Sequence, residues 1–372
     1  MPQLRKLTLK GWKSIQATSP PLEFRASNIL IGANGAGKSN LVSFFKMLNE
    51  LVGERLQEFV GRAGGADSVL YLGSKTTPQI EAELDFQTET GSTRYSVRLV
   101  HAARDTLLFA EETIRFHRPG HDSPRVEILG AGQRESLLKE AATAGNETAR
   151  VARRDLLTRL RVFHFHDTSD ASRMRQSCYI EANRYLYPDA GNLAAMLYLY
   201  QQTHPKIYRR IVAAVRQVAP FFKDFVLEPQ KLNPRNILLN WRAEGSEYLF
   251  GPHQLSDGTL RFVALITLLS HPAEDLPMLL VVDEPELGLH PAALTILAGS
   301  LQVAAQHCQV LVATQSAALV DMFEPEDILV VNREGNSSVF RRLDPAALAD
   351  WLKAYTLGEL WEKNVFGGGP FA

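Results

Sequence analysis

The sequence predicts an α/β fold: a mostly parallel sheet buried on both faces, an antiparallel β unit in the first third, and a compact helical insertion between them and the last third. Three observations predict it. The last third alternates apolar runs with helical stretches, namely Met278–Val282, Ala292–Gln306, Gln309–Ala313, a helix near 317–323 and Asp327–Val331, the rhythm of crossover-connected parallel strands. The apolar run Ile29–Ile31 enters a glycine-rich turn that is followed by an amphipathic stretch. Three runs at Gln79–Phe86, Thr93–His101 and Leu107–His117 lie in close succession, as antiparallel neighbours do.

In chain order, Leu4–Leu9 and Leu22–Phe24 read as strands ahead of Ile29–Ile31. Ser39–Leu51 sets Leu41, Phe44, Phe45, Leu48 and Leu51 on one helical stripe. Gly61–Thr77 is rich in small residues and reads as a loop, and Thr90-Gly91 marks a turn between β runs. Residues 118–150 are polar and punctuated by Gly and Pro, which predicts an exposed connection. Val151–Leu160 reads as a helix and Arg161–Phe165 as a strand. Helices are expected at Asn192–Gln202 and at Pro205–Val218, the second with proline at its first position. Short strands are expected at Phe225–Leu227, Asn236–Trp241 and Tyr248–Phe250, with a turn at Glu244-Gly245 and a further helix from Gly258.

The 372 residues suffice for two or three folding units. The net charge of -1 supplies no global attraction to nucleic acid or anionic membranes. Cys178 and Cys308, the only cysteines, predict buried reduced thiols rather than a disulfide framework. The start, MPQLRKLTLKGWKSI, lacks the apolar core of a secretion signal, and no apolar run reaches the roughly 18 residues of a membrane span. The expectation is a cytoplasmic protein with no membrane contact.

Two segments carry chemistry. GANGAGKS, residues 32–39, fits G-x-x-x-x-G-K-[S/T] between a strand and a helix. Glycines let backbone N–H groups turn inward, and the helix start favours an anion. Gly32, Asn34, Gly35, Ala36, Gly37, Lys38, Ser39 and Asn40 would then cradle a nucleotide, with Lys38 on the β- and γ-phosphates and the Ser39 hydroxyl on Mg²⁺. The plainer reading is a glycine turn with a serine cap. MLLVVDEPE, residues 278–286, places acids at the end of a buried strand, where an open α/β sheet binds ligands. Asp283 is the second expected Mg²⁺ ligand and Glu284 the general base or water-orienting group. Glu286 is the less defined of these acids, with a solvated turn residue as its alternative reading.

The order P-loop, long insertion, LSDGT (255–259), LVVDE and a following strand resembles ABC-type ATPases, within them the RecF/SMC/OLD-like branch. LTLKGWKSI, DEPELGLHP and the tail LGELWEKNVFGGGP extend the likeness over nearly the whole chain. The resemblance implies an ABC-type P-loop NTPase with a mixed, mainly parallel core, an N-terminal antiparallel β subdomain and a compact helical lid. Its parts would be an N-terminal lobe (1–165), the lid with connecting strands (166–250), a C-terminal lobe (251–343) and C-terminal helices (344–372). It implies ATP and Mg²⁺ as cofactors and an ATP-dependent homodimer in which Ser256, Asp257 and Gly258 face the partner's nucleotide.

The sequence departs from the family pattern at three places. Asp257 stands where many members have glycine, and would repel phosphate unless it turns away to cap its helix. Gln315 stands where many have a switch histidine, and cannot titrate. FHFHDTS (163–169) has no Gln where the Q-loop falls, leaving His166 or Asp167 as its equivalent; its two histidines and Asp167 also read as a metal site. By resemblance Lys13 would sit near the nucleotide's α-phosphate or base, and His290 in the D-loop, a surface turn being the alternative.

About ninety residues separate Phe165 from Leu255, too few for long coiled-coil arms, and the stretch after Asp327 has no room for the nuclease domain of OLD-family proteins, so the expectation is that a nuclease or toxin effector would be a separate chain. Arg150, Arg153, Arg154, Arg159, Arg161, Arg173 and Arg175, against Asp155, Asp167 and Asp170, read as a DNA-contacting stripe, a solvated helix face or a docking site. The implied activity is ATP hydrolysis driving a molecular switch in DNA repair or antiviral defence. A transporter's ATPase subunit and a low-turnover sensor are the competing readings.

Overall fold

The computed structural model describes residues 2–121 and 123–369, without the side chains of Asp155 and Leu156. The Asp155 side chain of the charge count and Pro370 of the tail therefore lie outside what is described.

Apolar strands that face two ways build the centre. Among the described residues a six-stranded sheet runs in the order Ser337–Arg342, Ile328–Glu334, Ser27–Ile31, Gln309–Thr314, Leu279–Asp283, Leu160–Phe163. All neighbours are parallel except the hairpin Ile328–Glu334/Ser337–Arg342. Because side chains alternate along a strand, Ile29, Ile31, Leu280, Val282, Val310 and Val312 enter one core. Leu30, Leu279, Val281, Leu311 and Ala313 enter the other. The first core is completed by helices Asp257–Leu269 and Pro291–Ala305, the second by helix Lys38–Val52.

A second, antiparallel sheet covers the far side of the Lys38–Val52 helix. Its strand order is Ile15–Ala17, Gln3–Trp12, Gln79–Thr88, Gly91–Ala102, Thr106–His117, Arg125–Gly130, with Leu22–Glu23 also pairing to Gln3–Trp12. Alternation predicts one buried face, and Gln79–Thr88 buries Ile80, Ala82, Leu84 and Phe86. The buried Gln309 amide joins the two sheets: Leu4 N donates to its Oε1 at 2.7 Å and its Nε2 donates to Leu4 O at 2.9 Å. Trp12 packs edge-on to Phe44 at 5.9 Å, fixing the P-loop helix against this sheet.

Several expectations are corrected. Residues 118–150 are not a bare connection: Arg125–Gly130 extends the sheet, and short helices Leu138–Thr143 and Glu147–Val151 bury Leu138 and Ala149. The buried Glu112 carboxylate organises this region, accepting from Tyr95 Oη at 2.7 Å, Ser136 Oγ at 2.5 Å and Leu137 N at 2.9 Å. Local pattern cannot reveal contacts made more than a dozen residues away. Val151–Leu160 is irregular, a π-turn Ala152–Leu156 followed by a 3₁₀ turn Leu157–Arg159, and Leu160 already belongs to the strand. Asn236–Trp241 splits into Asn233–Ile237 and Asn240–Ala243, which pair in different small sheets. Tyr248–Phe250 makes only the bridge Trp241↔Phe250. Cys308 is buried as expected, whereas Cys178 is only partly so; both are free thiols.

The middle of the chain packs on the central layer. Helices Leu193–Thr203 and Pro205–Val218 share the core of helix Asp257–Leu269, which buries eleven of its thirteen residues. No described helix is long and apolar enough to cross a membrane.

Phe44 is fully buried between the sheets. Phe44→Ala should destabilise the fold by about 3–5 kcal/mol through the cavity it leaves, read as a lower urea midpoint with an unchanged slope.

Candidate active site at the sheet edge

Parallel register delivers the site. Ile31 pairs with Thr314, Ala313 with Asp283, and Val282 with Phe163, so the glycine turn, Asp283–Glu286, Gln315 and His164 all leave from one carboxyl edge, the ligand edge of such sheets.

The glycine turn is shaped by its neighbours. Gly37 has φ 117°, and a Cβ there would lie 2.0 Å from Ser338 Oγ; at Gly32 it would lie 2.3 Å from Val331 O. Ser338 Oγ donates to Ala36 O at 2.6 Å and sits 2.6 Å from Ser14 Oγ. Asn40 Nδ2 also reaches Ser14 Oγ at 2.6 Å, while Trp12 Nε1 donates to Asn40 O at 2.8 Å. Asn34, Gly35 and Ser39 are exposed. Lys38 is buried and donates to Gly32 O at 2.5 Å and Ala33 O at 3.2 Å. Burial pushes the Lys38 pKa down, opposed by Glu284, Glu286 and Asp283.

Asp283 is 6% exposed, and its Oδ1 is buried without a hydrogen-bond partner among the described residues. Burial pushes its pKa up against the pull of Lys46. A buried, unsatisfied carboxylate oxygen on the same sheet edge as the glycine turn suits a hard divalent cation such as Mg²⁺. Glu284 has φ 43°, a left-handed conformation that is uncommon outside glycine and clusters at functional sites. Gln315 Nε2 donates to Glu284 Oε1 at 2.5 Å. Glu286 is not a solvated turn residue: Thr314 Oγ1 and Gln315 N donate to its Oε1 at 2.6 and 2.8 Å, and its Oε2 is buried without a partner among the described residues. Burial pushes its pKa up.

Of the Q-loop candidates, His166 joins the site and Asp167 does not. His166 Nε2 lies 3.0 Å from Asp283 O. Asp167 is exposed and accepts from Ser169 N and Oγ at 3.1 and 2.7 Å, an Asx turn that removes it from both the site and a histidine metal cluster. His164 stands instead beside Asp283, Nδ1 to Oδ2 3.9 Å, with its ring 3.9 Å from that of His166. Burial, aided by Lys46, His166 and Arg261, pushes the His164 pKa down to about 4, so the imidazole is neutral at neutral pH.

The LSDGT segment resolves differently from either expectation for Asp257. Ser256 is the cap, its Oγ accepting from Thr259 N at 3.2 Å. Asp257 is the first helical residue and accepts from Arg175 Nη2 at 2.7 Å. Arg175 is 4% exposed and also donates to Thr168 O, Pro252 O and Leu255 O. A Cβ at Gly258 would lie 2.2 Å from Gly288 O, so glycine is required there for close backbone approach. Buried Arg261 ties the same helix to Phe165 O at 2.9 Å, His166 O at 3.2 Å and Leu287 O. His290 is exposed, and its Nδ1 accepts from Ala292 N at 3.3 Å as a helix cap.

The arginine stripe disperses. Arg175 is internal; Arg150 pairs with Glu147 at 2.6 Å and Arg173 with Asp189 at 2.9 Å. Arg159 donates to Leu276 O at 3.1 Å. Arg153 and Arg161 instead line a cleft with Lys13. Lys13 Nζ donates to Ser43 Oγ at 2.8 Å. Glu286, His164, Lys46, Arg175 and Arg261 are the residues that sequence reading missed or misassigned. Lys46 left a local trace that went unused: Ser39, Ser43 and Lys46 form a polar stripe opposite the apolar one.

A family model described as "AAA domain, putative AbiEii toxin, Type IV TA system" matches residues 27–321. Among curated proteins, none matches. The structure is similar to an SMC head solved bound to the C-winged helix domain of ScpA, at 16% identity and TM-score 0.59, over 94% of this chain and 99% of that one. It is equally similar to an SMC head domain with an extended coiled coil, bound to the C-terminal domain of ScpA derived from Pyrococcus furiosus, at 15% identity and TM-score 0.59, over 95% and 99%. At such identities the likeness is one of fold, the ABC-type P-loop architecture with its mixed sheet.

Gly37→Ala should weaken binding of a fluorescent ATP analogue at least about tenfold, because the Cβ collision and the positive φ both oppose the loop. Arg175→Ala should lower stability by roughly 2–4 kcal/mol by stranding the buried Thr168, Pro252 and Leu255 carbonyls, measured by chemical denaturation.

Proposed function

The chain belongs to the AAA domain family just described, and from that premise we propose that it is an ATP-hydrolysing switch in which two copies close around two Mg-ATP molecules and reopen on hydrolysis. The observation that carries the proposal is the convergence of Lys38, Asp283 and Glu284 on one sheet edge, where each carboxylate acts on the Lys38 ammonium.

In this reading Gly32 and Asn34 to Asn40 cradle the phosphates, and Lys13 reaches the α-phosphate or base. Ser39 and Asp283 hold Mg²⁺, which when bound neutralises charge on the β- and γ-phosphates. Lys38 leaves the Gly32 and Ala33 carbonyls for phosphate oxygens. Glu284, steadied by Gln315, orients a water and accepts its proton. Gln315 cannot titrate, so rate control by protonation at that position is not expected. His166, through the Asp283 carbonyl, takes the sensing place of the Q-loop.

Ser256 is exposed at its helix start, where it and Gly258 are positioned to face a partner's nucleotide, with His290 crossing the same interface. Asp257 does not need to meet phosphate, because Arg175 neutralises and holds it. Residues 1–165 and 251–343 act as the two lobes, 166–250 as the lid and 344–372 as the trailing helices. The output is control of a DNA transaction or of a separate nuclease or toxin effector chain in defence. A low-turnover ATP sensor is the second reading, favoured by the 2.5 Å engagement of Glu284 by Gln315.

Glu284→Gln should remain a dimer in saturating Mg-ATP by light-scattering chromatography, and a monomer under those conditions would reject the sandwich. Lys38→Ala should reduce ATP turnover about a hundredfold or more; a wild-type rate no faster than that variant selects the sensor.

A further inference from the structure

We propose that the free edge of the antiparallel sheet, strand Arg125–Gly130, is an interface that takes the same strand of a second copy of this chain, antiparallel and without nucleotide. The strand ends the sheet and is paired on one side with Thr106–His117. Among the described residues its backbone makes no other hydrogen bond. Such an edge is a template for a further strand, and chains that must stay apart protect it with charge or a covering segment.

The side chains of this edge invert that protection. The outer face of the sheet is charged strand after strand: Lys10 pairs with Glu81 at 3.2 Å, Arg94 with Asp85 at 2.6 Å, and Arg115 lies in register with Arg94. Arg115 is in turn in register with Val126, so by alternation Val126 and Ile128 continue this outer face. They are 48% and 76% exposed. A charged face that ends in an apolar edge strand fits a neighbour that continues the sheet.

The order of the residues identifies the occupant. Residues 124–128 read Pro-Arg-Val-Glu-Ile, with opposite charges on either side of Val126. Two antiparallel copies centred on Val126 place each Arg125 opposite the other copy's Glu127, Val126 opposite itself and Pro124 opposite Ile128. Within one chain Arg125 Nε lies 2.6 Å from Glu127 Oε1, and Asn146 Nδ2 donates to Glu127 Oε2 at 3.0 Å. Two such pairs meeting about a two-fold axis form a square in which both neighbours of every charge have the opposite sign. The apolar residues pair with one another on the outer face. A strand of unrelated sequence has no such match. The edge is four strands from Gln3–Trp12, which packs on the P-loop helix, so this contact needs neither the P-loop nor nucleotide.

The test is analytical ultracentrifugation of the full chain in EDTA without nucleotide, over a concentration series, with Lys38→Ala in parallel. Both should form a concentration-dependent dimer. Arg125→Glu and Glu127→Arg, each alone, set like charges face to face and should weaken self-association at least about tenfold. An equimolar mixture of these two variants should associate, because opposite charges then face each other at both positions. Ile128→Lys should also weaken the dimer, and keeps the test decisive if a charge variant fails to fold, which melting by circular dichroism reports. Charge variants that self-associate as the wild type does, or a mixture that associates no better than its components, would overturn the proposal. A monomer at every concentration would overturn it too, and would leave the edge to a strand of another protein. Association that appears only with Mg-ATP and is lost in Lys38→Ala would overturn it while leaving the nucleotide sandwich standing.

Discussion

A lysine ammonium buried at the edge of a parallel sheet sets the terms for everything around it. Lys38 is 5% exposed, and such a charge is tolerated only where dipoles and opposite charges surround it. The loop's own carbonyls and the cluster of Asp283, Glu284 and Glu286 meet that requirement. Burial disfavours the charged forms of Asp283 and Glu286, and Asp283 Oδ1 and Glu286 Oε2 lack partners among the described residues. A sheet edge thus holds one cation and three acids whose needs are met jointly, and incompletely, by the protein alone. Unmet polar demand at a fixed edge is what a ligand-binding site consists of physically.

The rest of the molecule holds that edge still. The C-terminal hairpin contributes Val331 and Ser338 as walls against which only glycine fits at positions 32 and 37. Ser14 closes the same network from the opposite end of the chain. On the other side, Arg175 and Arg261 convert the insertion, the Ser256 helix and the Leu287 turn into one connected unit through backbone carbonyls. Both guanidiniums are internal, so removing either strands several acceptors at once.

Much of the centre was legible beforehand. Strands such as Val310–Ala313 are apolar on both faces, and a stretch that buries both faces has few alternatives to a central parallel strand. The Lys38 helix announced itself by Leu41, Phe44, Phe45, Leu48 and Leu51. Less legible were elements whose stability comes from distant partners. Arg125–Gly130 is half polar and is a strand because Thr106–His117 offers it an edge. The short helices after it persist because Glu112 binds Ser136 and Leu137. Asp167 and His164 could not be sorted by spacing, since a two-residue Asx turn diverts the aspartate.

By itself the sequence determined the parallel α/β core, the glycine turn with Lys38 and Ser39, and acids at the end of a buried strand, because periodicity and turn chemistry are local properties. Only the tertiary structure decided that Glu286 is a third, partly buried acid of the site, that Asp257 belongs to Arg175, that the arginine stripe scatters, and that Lys13, Lys46, Arg153 and Arg161 meet in one cleft. Those outcomes depend on which charges are brought together across 82 positions for Arg175 and Asp257 or more than 100 for Lys13 and Arg153. Electrostatic pairing follows distance in space, and spacing along the chain carries no record of it.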